Sequence, residues 1–132
     1  MTVELIIPYE PFGKQRPRFG GGRTYTPTAT RDYEKTVALT YLDGHFGKFG
    51  GAVRIDILAV HAVPKSYSKR KTAETMNRPW QGKPDCDNIA KAILDGLNGV
   101  AFEDDRQVTA LTVVKQYGYK PFVKVKIQED TE

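Results

Sequence analysis

Residues 121–128 read PFVKVKIQ. In an extended chain Val123, Val125 and Ile127 fall on one side and Phe122, Lys124 and Lys126 on the other, because successive strand side chains point to opposite faces. A strand divided in this way must lay its branched side on a core, which demands neighbouring strands and a covering layer. AVRIDILAVHAV (52–63) is a second such strand, with Val53, Ile55, Ile57 and Ala59 alternating against Arg54, Asp56 and Leu58. VELIIP (3–8), stopped by Pro8, and VTALTVVKQYGY (108–119) are two more. The last two strands of the chain meet around Gly118, which predicts a hairpin.

The covering layer is helical. In DNIAKAILDGLN (87–98) Ile89, Ile93 and Leu97 recur at i, i+4 and i+8, and Gly99 closes the helix. TYTPTATRDYEKTVALTYLDGHF (24–46) opens on Thr and Pro, brings Tyr33, Val37, Tyr41 and Leu42 towards one side, and ends near Gly44. Residues 9–23, with Pro11, Gly13, Pro17 and the run Gly20, Gly21, Gly22, read as a loop whose glycines form a flexible turn. Residues 64–83 are a long polar connection with room for a short helix over 68–77. Strands in runs with two main helices predict an α+β fold: a small mixed or antiparallel sheet with the helices packed on one face. A chain of 132 residues suits a single domain over 1–132.

Several classes of function are excluded early. No apolar run approaches the ~18–20 residues that span a bilayer. MTVELIIPYE carries an acid and too short an apolar stretch for a signal peptide. A lone cysteine forbids an internal disulfide and points to a reducing, cytoplasmic setting. One Cys and two His fall short of the four ligands of a structural zinc site. An EF-hand beginning at Asp85 fails because Ile89 and Ala90 occupy its fifth and sixth positions. Cys86 reads as a small apolar packing residue, His45 and His61 as structural, and Trp80 either stacks on a base or covers the core.

Charge is more informative. Lys and Arg number 20 against 16 acids, a net +4 with pI near 9.2. The bases gather in two places: Lys14, Arg16, Arg18 and Arg23 within 13–23, and Lys65, Lys69, Arg70 and Lys71 within 64–71. Acids gather elsewhere, in PDCDNIAK (84–91), EDDRQV (103–108) and the tail EDTE (129–132). Basic flanks around an acidic centre fit a protein that grips phosphates and does metal chemistry on one of them.

Pro84 stops whatever precedes it, and Asp85 or Asp87 can cap the helix that follows. Asp87, Lys91 and Asp95 share the i, i+4 spacing of the aliphatic stripe but start two residues earlier, so they point away from it. Asp85, two residues before Asp87 on extended backbone, turns to the same side. A solvated face with an Asp–Lys pair would look identical, so this pattern permits a site without requiring one. The link carrying Glu103, Asp104 and Asp105 follows the same helix, and the two acidic groups can meet if the chain folds back. Converging carboxylates need divalent compensation, and hard oxygen donors suit Mg²⁺ or Mn²⁺. Two such ions can clamp the attacking and leaving oxygens of a phosphodiester, with Lys91 to orient water or offset charge.

PDCDNIAKAILDGLNGVAFEDDRQV (84–108), together with KQRPRF…RTYTP (14–27), resembles the signature of RusA-type crossover-junction endodeoxyribonucleases, the small Holliday junction resolvases often carried by bacteriophages and prophages. The resemblance implies an α+β homodimer that places paired nicks across a four-way DNA junction, using Mg²⁺ or Mn²⁺. The family's essential, metal-holding acids then fall on Asp85, Asp87 and Asp105, and its catalytic lysine on Lys91. Asp105 is preferred to Asp104 as the second Asp of the pair, two residues before Gln107. Cys86 stands where a larger aliphatic residue is expected, and no roles carry onto 64–83. A two-fold junction suits a two-fold dimer, and the two basic segments would hold phosphates. The chemistry expected is in-line attack of metal-activated water, leaving a 5′-phosphate and a 3′-hydroxyl. A broader nuclease acting on flaps or forks, and a non-catalytic DNA-binding module, are the other classes compatible with the sequence.

Overall fold

Alternating branched residues and one strongly amphipathic helix leave few ways to build a core, and the computed structural model shows which is taken. It describes residues 1–131; Glu132, the last acid of the tail, lies outside them. The elements in chain order are β1 (Thr2–Ile7), β2 (Arg18–Gly20), β3 (Arg23–Tyr25), α1 (Thr28–Asp43), β4 (Val53–Ala62), α2 (Lys69–Thr75), α3 (Cys86–Leu97), a 3₁₀ turn (Asp105–Gln107), β5 (Val108–Gly118) and β6 (Phe122–Glu129). Four strands form a mixed sheet in the order β1-β6-β4-β5, giving the α+β arrangement. The aliphatic sides of β1, β4 and β6 (Val3, Leu5, Ile7; Val53, Ile55, Ile57; Val123, Val125, Ile127) are buried beneath α1 and α3. Among the described residues no helix is long and apolar enough to cross a membrane.

The predicted β5–β6 hairpin does not form. β6 slots between β1 and β4, antiparallel to both, and β5 lies on the far side of β4, parallel to it. A turn around Gly118 reverses the chain equally well when a third strand fits between its arms. The parallel β4–β5 pair instead needs the long crossover through α2 and α3. That crossover carries the acidic motifs.

The helices follow their stripes with one exception. Ile89, Ile93 and Leu97 of α3 are fully buried, as are Val37 and, almost fully, Tyr41 of α1. Leu42 is not part of that stripe: it is 51% exposed, one residue round from Tyr41 and past the edge of the buried face. The helices approach each other closely at Gly96. A Cβ there would sit 2.6 Å from the Val37 Cβ and 3.1 Å from the Glu34 carbonyl oxygen. This contact brings Glu34 of α1 beside Asp95 of α3.

Part of the expected 9–23 loop is ordered as a hairpin, β2 paired antiparallel to β3. Its turn residues, Gly21 and Gly22, have φ of +59° and +80°. Two successive positive φ angles make the tight turn whose twist suits a hairpin, and only glycine adopts them without strain. The triple glycine is thus a defined turn.

Residues 77–80 run along the outer edge of β5. The Asn77 amide donates to the Tyr117 carbonyl (3.1 Å), the Tyr117 amide to Arg78 (3.0 Å) and the Trp80 amide to Lys115 (3.1 Å). Trp80 stacks on buried His61, centroids 4.2 Å apart, and meets Tyr117 edge-on at 5.0 Å. The tryptophan therefore covers the core at this edge.

Candidate active site

The approach to α3 is fixed before the acids begin. The Lys115 ammonium donates to the carbonyls of Gly82 (2.7 Å) and Pro84 (3.1 Å), tying the residues ahead of Asp85 to β5. On the other side Gly13 lies against Pro84, where an added Cβ would come within 2.7 Å of the Pro84 Cβ, and the Lys14 amide donates to the Asn88 carbonyl at 3.0 Å. The first turn of α3 is thus held between β5 and the strap 11–17.

Asp85 occupies the N-cap position with extended φ and ψ, yet its side chain makes no capping hydrogen bond. A cap of this kind is worth ~1 kcal/mol to a helix, so the carboxylate is left free where bonding to its own helix was available. Asp87 lies in the first turn and, like Asp85, is exposed. Neither carboxylate takes part in an ion pair or side-chain hydrogen bond among the described residues. Cys86 between them is also exposed, its sulfur 4.0 Å from the Val113 carbonyl oxygen. It is not the buried packing residue expected, because the buried stripe begins only at Ile89.

One and two turns further on the charges are paired. Lys91 reaches Asp95 at 3.1 Å and Asp105 at 4.0 Å. The second oxygen of Asp95 lies 3.1 Å from Lys14, which also holds Glu34 at 2.6 Å. Glu34, Lys14, Asp95, Lys91 and Asp105 therefore form a chain of alternating charge across α1, the strap, α3 and the 3₁₀ turn. Burial opposes the charge on Lys14, but the hydrogen bonds and charges of Glu34 and Asp95 outweigh it and its pKa is raised. Lys14 differs in this from the rest of its basic segment. Its side chain is only 19% exposed and engaged by two carboxylates, whereas Arg16, Arg18 and Arg23 are exposed and have no carboxylate partner among the described residues. Nothing local in the sequence marks Glu34 as a member of this chain.

The two aspartates of the 103–108 link are not equivalent. Asp104 caps the 3₁₀ turn by accepting the Arg106 amide at 3.2 Å. That bond, and a hydrogen bond shared with Asp105, hold its pKa below the usual carboxylate range. Asp105 is shifted the other way, first by the hydrogen bond to Asp104 and then by partial burial, against the pull of Lys91. Gln107 secures the link: its carbonyl oxygen accepts the Glu103 amide (2.9 Å), and its amino group donates to the carbonyls of Phe49 (3.1 Å) and Gly51 (2.9 Å).

Of the acids expected to act together, Asp85 and Asp87 share the start of α3, while Asp105 meets Lys91 a turn further along it. Among the described residues no three His, Cys, Asp or Glu side chains are grouped to hold a metal ion. Lys91 and Lys14 take up Asp95 and Asp105, while Asp85 and Asp87 have no counter-charge among the described residues. The donors present are nonetheless chemically suited to a hard divalent cation, being carboxylate oxygens open to solvent. Of the second basic group, Lys65 and Lys69 are exposed, Arg70 pairs with Glu74 at 3.3 Å, and Lys71 lies 4.1 Å over the Tyr67 ring.

This chain resembles known sequences over nearly its whole length. The protein YqaN of Bacillus subtilis (strain 168), itself uncharacterized, is 34% identical over 138 residues, covering 96% of each chain. The family described as Endodeoxyribonuclease RusA matches residues 8–128, which include the strap, the β2–β3 hairpin, both acidic groups and the crossover that carries them. The chain belongs to the RusA endodeoxyribonuclease family.

Proposed function

We propose that this protein is a divalent-metal-dependent endonuclease that resolves four-way DNA junctions by paired nicks, working in the cytoplasm as a homodimer of single-domain subunits. Nucleases of this family are generally divalent-metal dependent and act on branched DNA. The observation that carries the reading is the pair of exposed carboxylates at the start of α3: Asp85 makes no side-chain cap bond, and Asp87 has no counter-charge among the described residues. Exposed, unpaired acids held by a fixed backbone are what a cation-binding site needs before its ion arrives.

Asp85 and Asp87, with Asp105 from the 3₁₀ turn, would hold Mg²⁺ or Mn²⁺. A metal held there would supply an activated water and offset charge on the scissile phosphate. The chain's own groups orient that chemistry. Lys91, one turn beyond Asp87 in sequence and 4.0 Å from Asp105, would steady a phosphate oxygen or the incoming water. Asp95, holding Lys91 from the far side, fixes its reach. Arg16, Arg18 and Arg23, with Lys65, Lys69, Arg70 and Lys71, would contact the DNA backbone, and Lys14 remains with its two carboxylates. Two subunits related by a two-fold axis would set equal sites on strands of like polarity.

The test is cleavage of a labelled synthetic four-way junction with and without Mg²⁺ or Mn²⁺, beside a linear duplex and a flap. Symmetric, metal-dependent nicks confined to the junction are expected. Equal cutting of the flap would make the protein a broader branched-DNA nuclease. Binding without cutting in either metal would leave only a DNA-binding module.

A further inference from the structure

The β2–β3 hairpin stands out for what it exposes. Strand pairing sets Arg18 opposite Tyr25, Phe19 opposite Thr24 and Gly20 opposite Arg23. The pleat then divides the hairpin into a face with Arg18, Gly20, Arg23 and Tyr25 and a face with Phe19 and Thr24. Tyr25 lies across Gly20, where a Cβ would come within 3.1 Å of its ring. Phe19, on the other face, is 75% exposed. A two-stranded hairpin is marginal by itself, so leaving its one phenylalanine in water spends stability that burial would have given.

The hairpin is nevertheless firmly rooted. Gln15 bonds Thr30 twice, through its amide (3.4 Å) and its side-chain oxygen (3.2 Å). Phe12 stacks on Tyr33 with centroids 5.0 Å apart, and the Lys14 amide bonds the Asn88 carbonyl. The finger therefore rises from a base fastened to the first turn of α3, next to Asp85 and Asp87. Its arginines have no carboxylate partners among the described residues, so it presents positive charge and an aromatic ring from one rigid root.

We propose that Phe19 is a base-stacking wedge: Arg18 and Arg23 hold phosphates while Phe19 stacks on a base at the branch point of the DNA. This rests on the nuclease reading above and adds how a branch is told from a duplex. Phosphate contacts alone follow charge and carry no such information. Inside a linear duplex every base is stacked on both sides, and opening a step is costly. At a branch point one stacking partner is already displaced, so the same aromatic insertion gains more than it loses. Phe19 would thus supply preference for the branch, and the arginines affinity for any DNA.

The experiment uses the full chain without divalent metal, so that cleavage plays no part. A four-way junction carries 2-aminopurine beside the branch point, and a linear duplex carries it in the same sequence. The parent protein is expected to change the fluorescence of the junction and leave that of the duplex alone. Phe19→Ala should abolish the change and weaken junction binding by about 5- to 150-fold, with duplex binding unaltered. Phe19→Trp should retain both signal and preference. Arg23→Ala should weaken junction and duplex alike and lower the salt dependence of both by about one contact. Unchanged junction preference and signal in Phe19→Ala would overturn the proposal. So would a change in that variant's sedimentation from dimer to monomer, which would make Phe19 a subunit contact. A parent that gives the fluorescence change yet never cuts in Mg²⁺ or Mn²⁺ loses the nuclease reading and keeps the wedge. A parent that cuts junctions while Phe19→Ala keeps its preference loses only the wedge.

Discussion

The two ends of α3 treat their carboxylates in opposite ways. Asp95, two turns into the helix, is 20% exposed, and each of its oxygens meets an ammonium group at 3.1 Å. The carboxylates of Asp85 and Asp87 at the start are exposed and bonded to nothing among the described residues. A carboxylate with two cations at hydrogen-bond distance already has its compensation, and removing it leaves those cations unsatisfied. A carboxylate that passes over even its own helix cap gives the fold little, so its loss should be felt only when something else is to be bound. The same side chain serves structure at one end and, on the reading above, chemistry at the other.

Two substitutions separate these roles, the larger effect first. Asp87→Asn is expected to lower metal-dependent junction cleavage by at least ~100-fold, since even residues that merely support metal ligands cost 10–100-fold when changed. Its unfolding free energy from urea titration should stay within ~0.5 kcal/mol of the parent, as for other exposed positions. Cleavage at the parental rate would remove Asp87 from the site. Asp95→Asn should show the reverse emphasis on stability, with a loss of about 1–3 kcal/mol because Lys14 and Lys91 each lose a charged acceptor. A parental urea midpoint for Asp95→Asn would mean that Glu34 and Asp105 suffice for the two lysines, and the contrast between the two ends of the helix would collapse.

The same contrast explains what could be read from the sequence. The stripe Ile89, Ile93, Leu97 and the alternation of 121–128 were evident because they repeat locally, and burial follows local periodicity. The outward direction of Asp87, Lys91 and Asp95 came from the same count. What each meets there did not, because Lys14 and Glu34 approach Asp95 only through the crossing of helices at Gly96. The β5–β6 arrangement escapes the sequence for a related reason: strand neighbours are a property of the whole sheet, and β6 enters between β1 and β4, where its aliphatic side is covered, instead of pairing with β5. The glycine run looks flexible in the sequence, which shows that glycine permits positive φ and not that a hairpin uses it. The chemistry of Cys86 suits a core, but it precedes the first buried position of its helix and is exposed.

A third kind of polar group completes the comparison, buried and unpaired. His61 lies beneath Trp80 with no partner for its Nε2 among the described residues, and Glu10 approaches its Nδ1 only to 3.8 Å. Burial first, and then the charge of Lys115, lower its pKa from the ordinary 6.5. The folded protein thus binds less proton at His61 than the unfolded chain does. Its contribution to stability is complete above about pH 6.5 and is lost as pH falls through that value towards the lower folded pKa. For one site the slope cannot exceed about 1.4 kcal/mol per pH unit, which makes this the smallest of the effects. Urea unfolding between pH 7.5 and 5.5 should show a decline in the parent that is reduced in His61→Phe, which keeps a ring against Trp80 but cannot titrate. Glu10→Gln should steepen the decline, because the nearby carboxylate is what favours the protonated ring. Parallel pH profiles for the parent and His61→Phe would show that His61 accepts its proton as readily folded as unfolded. The unpaired Nε2 would then have found solvent, and it would belong with Asp85 and Asp87 among the groups left open to water.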